Sequence, residues 1–143
     1  MSKIAIRFKA SPTHGMGHMV RQLHLGKALR EAGHSISYFI DDYRPSIDAL
    51  NSFKFHIIQS EEIFLHPGNS VDLVIIDQKE NSAEYVLALR HYARKIVDFE
   101  DLGEGRQFVD LLIDCNLEES ASDAVSSNVK TLFGLHYTIL HPD

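Results

Sequence analysis

The chain has 143 residues, of which 44% are hydrophobic and 24% are charged, and its formal net charge is −6. This length suits one globular domain with its own core, and the negative charge argues against a nucleic-acid-binding protein, which usually presents a basic surface. A single cysteine excludes an internal disulfide and fits a reducing compartment. No apolar segment approaches the roughly 20 residues that cross a bilayer, so we expect a cytoplasmic protein without a membrane span.

Short apolar segments alternate with helical patterns along the chain. Residues 3–8 predict a first strand, and residues 17–33 predict a helix that ends at Gly33. Further strands are predicted at residues 34–40, 53–59, 71–77, 94–99, 109–116 and within 131–140, a short helix at 46–50, a turn at 66–70 and a helix at 82–93. This alternation predicts one Rossmann-like domain over residues 1–143, an α/β fold with a doubly wound, mostly parallel sheet.

Polar residues follow most of the predicted strands. In doubly wound sheets, ligands bind beyond the carboxyl ends of the strands, where these polar segments come together. We therefore expect a binding site at this edge of the sheet. The segments that would contribute to it are residues 9–18, 41–44, 77–81, 98–106 and 114–116.

Gly15 and Gly17 lie in the predicted turn between the first strand and the first helix. Glycine lets the backbone adopt conformations that other residues avoid, and it lets a ligand approach closely. The helix that follows presents free N–H groups, which favour an anion. The turn could hold a phosphate or a developing negative charge, or it could be a tight turn without a ligand.

A dinucleotide-binding motif is a weaker interpretation of the same turn. Its pattern G-x-G-x-x-G/A would use Gly15 and Gly17, but Val20 occupies the third position and obstructs the close helix–strand packing that a small residue allows. Asp41 or Asp42 ends the second strand, where a ribose-binding acid would lie. Any α/β loop can carry such a residue, so no nicotinamide cofactor is predicted.

A zinc site is also disfavoured by the spacing of the histidines. His14 and His18 are four residues apart, but two glycines lie between them, and His18 and His24 fall on different faces of the predicted helix. Zinc requires three or four convergent ligands. No metal is therefore predicted.

His18 lies at the start of the first helix. The positive end of the helix dipole disfavours a charged imidazole there, and a neutral imidazole can accept a proton as a general base. Alternatively, the histidine only caps the turn. The local sequence favours neither interpretation over the other.

Four stretches of the sequence carry a family resemblance. The stretch GMGHMVRQLHLGKAL, residues 15–29, resembles the G-x-G-H-x-x-R-x-L-x-L-A pattern of the nucleotide-sugar hydrolases of pseudaminic acid biosynthesis and of the related spore coat polysaccharide biosynthesis proteins. VDLVIID at 71–77, KIVDFEDLGEGRQFVDLLIDCN at 95–116 and LFGLHYTILHPD at 132–143 resemble further motifs of this family, in the same order. The resemblance covers almost the whole chain.

The resemblance implies the N-terminal half of a fold similar to the two-domain B-type glycosyltransferases. In that family, the C-terminal half binds most of the nucleotide. The chain would therefore be an N-terminal domain that works with a C-terminal domain or a partner chain. By itself, it is expected to be nearly inactive. The implied substrate is a UDP- or CMP-linked sugar, and no cofactor is implied.

The resemblance also implies roles for individual residues. His18 would be the base that activates water against the anomeric carbon, and Gly15 and Gly17 would be the loop glycines. Arg21 would hold a phosphate or cover the helix. Asp77 matches the family's strand-end aspartate, with capping of the next helix as the alternative.

Other matching positions are given packing or structural roles. Tyr137 matches a late tyrosine that is expected to pack. A loop-capping role is expected for Asp98, Glu100 and Asp101, which lie in the loop after the fifth strand or beside it.

Two departures leave the reaction open. Lys79 stands where the hydrolases have a site tyrosine, and Lys9 stands where they tend to have an aspartate. Lys79 remains a candidate substrate-binding residue. The predicted function is glycosyl C–O cleavage by a hydrolase or a glycosyltransferase in surface or spore coat polysaccharide biosynthesis. The alternative is a non-catalytic module of this fold that binds a sugar or a protein.

Overall fold

A computed structural model of the chain describes residues 1–12, 17–59, 62–114 and 125–133. The described residues form seven strands, three α-helices and two 3-10 turns. The strands are β1 (Lys3–Phe8), β2 (Ser35–Ile40), β3 (Lys54–Ile57), β4 (Val71–Asp77), β5 (Ala93–Phe99), β6 (Leu111–Asp114) and β7 (Lys130–Phe133). The helices are α1 (Gly17–Glu31), α2 (Arg44–Ala49) and α3 (Ala83–Arg90), and the 3-10 turns are Pro67–Asn69 and Glu104–Phe108.

All seven strands pair in parallel in one sheet, in the order β3-β2-β1-β4-β5-β6-β7. The order reverses between β1 and β4, because the chain first adds strands on one side of β1 and then on the other. This arrangement is the Rossmann-like doubly wound topology. It confirms the fold class that the alternation of strands and helices predicts.

Each face of the sheet has its own core because alternate strand residues point to opposite sides. On one face, α1 and α2 pack over a core that includes Ile4, Ile6, Phe8, Met19, Tyr38, Ile40, Leu50, Ile75 and Phe99. On the other face, α3 packs over a core that includes Ala5, Phe39, Phe64, Val74, Ile76, Val86, Leu89, Ile96 and Leu112. The two faces therefore bring different helices to the carboxyl edge of the sheet.

The helix boundaries follow from local sequence. Helix α1 is followed by Gly33 at φ +100°, a left-handed conformation that favours glycine and turns the chain into β2. The hydroxyl of Ser82 accepts a hydrogen bond from the amide of Tyr85 at 3.1 Å, which confirms Ser82 as the N-cap of α3. This helix ends at Arg90, three residues earlier than predicted, because β5 already begins at Ala93.

The remaining predictions agree within a few residues where the chain is described. Strand β3 is shorter than predicted, and β6 is described as far as Asp114. The predicted final strand within 131–140 is described only in part, and Tyr137 lies outside the described residues. Within the described residues, no helix combines the length and the apolar character that crossing a bilayer requires.

Substituting Gly26 tests the close contact between α1 and β2. A Cβ at Gly26 would lie 1.8 Å from the hydroxyl oxygen of Tyr38, which donates to the carbonyl of Gln22 at 2.7 Å. We expect Gly26→Ala to lower the free energy of unfolding by about 1–3 kcal/mol. At Gly17, in the same helix, a Cβ would meet no described atom within 4 Å. Gly17→Ala should therefore leave the free energy of unfolding unchanged or slightly higher, as measured by urea unfolding. An equal loss of unfolding free energy in Gly17→Ala and Gly26→Ala would contradict the close contact at Gly26.

Candidate functional site

The candidate site lies at the carboxyl edge of the sheet, where the strand order reverses between β1 and β4. Such switch points are where doubly wound sheets bind ligands. Helix α1 begins beside this edge, and the last residue of β4, Asp77, has no exposed surface. The amide of Lys9, just after β1, donates to the carbonyl of Asp77 at 3.3 Å.

Helix α1 presents three polar side chains to Asp77. His18, Arg21 and Gln22 are spaced i, i+3 and i+4, which places them on one face of a helix. The side chain of His18 is 21% exposed and that of Arg21 is 17% exposed, whereas Gln22 has no exposed surface. The helix thus delivers two partly accessible groups and one buried amide to the end of β4.

The carboxylate of Asp77 accepts four hydrogen bonds from these side chains. Its Oδ1 contacts His18 Nδ1 and accepts from Arg21 Nη2 at 2.5 Å. Its Oδ2 accepts from Arg21 Nε at 2.5 Å and from Gln22 Nε2 at 2.8 Å. Arg21 therefore binds both oxygens in the two-pronged geometry that makes arginine–carboxylate pairs strong.

The protonation state of Asp77 fixes the tautomer of His18. Burial by itself would raise the pKa of Asp77, but the hydrogen bonds and charges of Arg21 and His18 outweigh it and hold the pKa below its ordinary value. An ionised carboxylate can only accept hydrogen bonds. The proton between the two groups therefore lies on His18 Nδ1, and in the neutral ring Nε2 carries the lone pair.

Glu100 forms a second ion pair with the guanidinium of Arg21. Its Oε2 lies 3.0 Å from Arg21 Nη1, and the guanidinium also lies 5.1 Å from the ring centre of Phe99. Burial opposes the charge on Arg21, but its carboxylate partners outweigh burial and raise the pKa of Arg21 above its ordinary value. Glu100 adopts φ +50°, which is uncommon for a residue other than glycine. The expected loop-capping role does not describe this residue, because its carboxylate reaches the candidate site.

The predicted site residues have different outcomes in the structure. His18, Arg21 and Asp77 come together, and Asp77 does not cap α3, because Ser82 occupies that position. A Cβ at Gly17 would meet no described atom within 4 Å, so packing among the described residues does not require glycine there. Gly15 lies outside the described residues.

Lys79 lies at the same edge but in a neighbouring cavity. This cavity of about 910 Å³ is lined by Lys9, Lys79 and residues 80–84, 103 and 104. His18 is not among the residues that line it. Lys79 is exposed, and its carbonyl accepts from the amide of Leu102 at 3.0 Å. The structure thus brings Lys79 to the expected edge without a direct contact to the Asp77 cluster.

A second polar network occupies the opposite face of the sheet. Arg7 is fully buried, and its guanidinium donates to the carbonyl of Phe8 at 3.0 Å, to Gln78 Oε1 at 3.2 Å and to Asp41 Oδ1 at 3.0 Å. Gln78 Nε2 in turn donates to Asn81 Oδ1 at 2.7 Å. These bonds tie the ends of β1, β2 and β4 together on the face of the sheet opposite to α1.

The same network contains a buried carboxyl pair. Asp101 accepts from the amides of Asn81 at 2.9 Å and Gly103 at 2.7 Å, which confirms its loop-capping role. Asp98 has no exposed surface, and its Oδ2 has no hydrogen-bond partner among the described residues. Burial raises the pKa of Asp98 well above its ordinary value, and the carboxylates of Asp101 and Asp77 raise it further. Asp98 is therefore the carboxyl of this network that takes up a proton more readily than an ordinary aspartate.

Gln22, Arg7 and Glu100 are the polar residues of this edge that sequence reasoning missed. The spacing of Gln22, four residues after His18, is a signal that could have found it. Arg7 occupies a strand position at which apolar residues are usual, and Glu100 reaches the site only through its local backbone conformation. Among residues 1–12, 17–59, 62–114 and 125–133, no group of three His, Cys, Asp or Glu side chains is placed to hold a metal ion.

Neither protein-family models nor the sequences of curated proteins identify a relative of the chain. No protein-family model matches the chain, and no curated protein matches its sequence at a significant level. The resemblance to nucleotide-sugar hydrolases thus depends on the motif residues alone.

Substituting Asp77 tests the cost of the buried charge network. We expect Asp77→Asn to lower the free energy of unfolding by about 3 kcal/mol near neutral pH, because Arg21 loses its buried partner. The folded-state pKa of Asp77 is lowered, so its stabilisation is present above the ordinary value of 3.8 and is lost as pH falls through the folded-state pKa. The difference in unfolding free energy between wild type and Asp77→Asn should therefore become smaller in acid, as measured by urea unfolding.

Asp110→Asn is the matched control for Asp77→Asn. Asp110 also pairs with an arginine, Arg90, at 2.5 Å, but its side chain is 32% exposed. Because solvent screens this pair, Asp110→Asn should lower the free energy of unfolding by less than about 1 kcal/mol. Equal losses at the two positions would contradict the buried network.

Substituting Asp98 tests the carboxyl with the raised pKa on the opposite face. The folded-state pKa of Asp98 is raised, so its contribution to stability is fully present below the ordinary value of 3.8 and is lost as pH rises through the folded-state pKa. Asp98→Asn cannot ionise. Between about pH 4 and pH 8, the unfolding free energy of wild type should fall relative to that of the variant. A difference that stays constant over this range would contradict the assignment.

Proposed function

We propose that the chain is the N-terminal domain of a nucleotide-sugar-processing enzyme that cleaves a glycosyl C–O bond with His18 as the general base. The observation that carries the proposal is the contact between His18 Nδ1 and the buried carboxylate of Asp77 at the switch point of the sheet. A histidine oriented by a carboxylate is a recurrent arrangement for a general base. The motif resemblance supplies the substrate class, a UDP- or CMP-linked sugar.

The proposed reaction uses the free ring nitrogen of His18. Nε2 takes a proton from water or from a sugar hydroxyl as its oxygen forms a bond to the anomeric carbon. The bond from that carbon to the nucleotide phosphate breaks, and the phosphate oxygen leaves with the electron pair. His18 becomes an imidazolium, and the carboxylate of Asp77 compensates its charge.

Arg21 is better suited to positioning than to phosphate binding. Its Nε and Nη2 donate to Asp77 and its Nη1 contacts Glu100, so three of its nitrogens are directed at carboxylates. A phosphate in the cavity at this edge would meet Lys9 and Lys79, but also Glu80, Glu84 and Glu104, which line the same cavity. Lys79 remains in the proposal as a substrate-binding residue.

The acceptor remains open between water and a sugar hydroxyl. Lys79 in place of the hydrolases' tyrosine favours transfer over hydrolysis. The same substitution favours the second candidate, a non-catalytic module that binds a sugar or a protein. In either case the domain would act in the cytoplasm, in surface or spore coat polysaccharide biosynthesis, together with a nucleotide-binding C-terminal half.

Substituting His18 tests the proposed activity. The chain is incubated with its C-terminal half, as a longer protein or as a partner chain, and with UDP-, CMP- and GDP-sugars, and released nucleotide is measured by mass spectrometry. We expect His18→Ala to lower the release rate by about 10²–10⁴-fold, because the base is removed. The sugar product distinguishes hydrolysis from transfer.

His91→Ala is the control, since His91 is an exposed residue just after α3. It should release nucleotide at the wild-type rate. Release that survives His18→Ala would remove His18 as the base. Absence of release from every donor by wild type with its C-terminal half would favour the binding module.

A further inference from the structure

The connection between β3 and β4 leaves part of the sheet uncovered. In a doubly wound sheet, a helix usually covers each face between successive strands. In the described parts of this connection, residues 58–59 and 62–70, the only helical element is the 3-10 turn Pro67–Asn69. Helix α3 packs farther along the same face, against β5. A cleft of about 490 Å³ lies over β2 and β3.

The first half of β2 is polar on the face beneath the cleft, and Phe39 is the apolar residue of β2 that also lines it. Ser35 and Ser37 of β2 line the cleft, whereas Ile36 and Tyr38 between them are buried in the core beneath α1. A strand covered on both faces by apolar elements would be nearly continuous in apolar residues. The alternation in β2 therefore fits a face that meets a polar occupant rather than an apolar helix.

The charged side chains that line the cleft are mostly basic. Lys3 and Lys54 carry positive charges, and the imidazoles of His56 and His66 add ring nitrogens that can take part in hydrogen bonds. Among the described residues, Glu62 is the one acidic side chain that lines the cleft. The chain as a whole has a net charge of −6. This concentration of basic groups on an acidic protein points to an anion.

His56 also offers a flat surface in the cleft. Its ring stacks on Phe39 with centroids 5.0 Å apart and an interplanar angle of 23°. Phe39 in turn packs on Phe64 with centroids 4.7 Å apart. Phe39 and Phe64 are buried and His56 is exposed, so the stack holds the imidazole in place and leaves it accessible to a ring.

We propose that this cleft binds a small organic anion that carries a planar ring. Lys3 and Lys54 would meet the negative group, and the ring would lie against His56. The volume is within the range of small-molecule sites, about 300–1,000 Å³. Lys3, Ser35 and Lys54 are first residues of their strands, so the cleft lies towards the amino edge of the sheet, opposite to Asp77. The inference is therefore independent of the proposed glycosyl chemistry.

A titration with phenyl phosphate tests the cleft, with inorganic phosphate and phenol as probes that carry only one of the two features. Backbone amide chemical shifts of the full chain are followed by NMR. We expect saturable changes at Ser35, Ser37 and His56, with phenyl phosphate bound more tightly than either partial probe. Lys54→Glu should weaken binding by about fivefold or more, because it reverses a charge in the cleft. Lys54→Gln should weaken it less.

Lys27→Glu is the matched control, since Lys27 is an exposed lysine of α1 on the other face of the sheet. It should leave the affinity within about twofold. The spectra of the variants also show that each one is folded. Three outcomes would overturn the proposal: no saturable change at these amides, an equal loss in Lys27→Glu and Lys54→Glu, or shifts that depend on protein concentration without a probe. The last outcome would indicate that a second copy of the chain occupies the cleft.

Discussion

A buried carboxylate must be compensated by hydrogen bonds and opposite charge, and at the end of β4 this requirement falls on Asp77. Among the described residues, its compensation comes from one face of α1, through His18, Arg21 and Gln22. The start of the helix is therefore held in a fixed orientation against the sheet. The hydrogen bonds that compensate the charge of Asp77 also fix the orientation of the His18 ring. The same contact therefore stabilises the buried carboxylate and orients a candidate base.

The sheet separates two polar networks that differ in charge. Asp77 and Gln78 are consecutive residues whose side chains serve opposite faces, one towards α1 and the other towards Arg7. The α1 side carries the carboxylate of Asp77 with the guanidinium of Arg21, and the other side carries the Arg7–Asp41 ion pair and the carboxyl of Asp98, whose pKa is raised. The two sides are coupled electrostatically, because the charge of Asp77 contributes to the raised pKa of Asp98. Removing the charge of Asp77 on one face should therefore lower the pKa of Asp98 on the other face.

Local pattern was sufficient to predict the strands, α1 and the position of His18, because apolar periodicity and Gly33 act within a few residues. It also placed Asp77 and Lys79 at the correct edge, since all parallel strands end there. Local pattern did not predict the contact between Glu100 and Arg21, because that contact depends on a backbone at φ +50° and on the pairing of β5 with β4. The open face over β2 and β3 escaped prediction for a similar reason, because it arises from a connection that lacks an α-helix in its described part.

The central claim is that Asp77 holds His18 with its proton on Nδ1 and its lone pair on Nε2. The most direct test is a long-range ¹⁵N–¹H NMR spectrum of the histidine side chains near neutral pH, with the His18 signals assigned from their absence in His18→Ala. The account predicts a protonated Nδ1 and an unprotonated Nε2, with this pattern lost in Asp77→Asn. A ring protonated at Nε2 alone, or a pattern unchanged by Asp77→Asn, would contradict it.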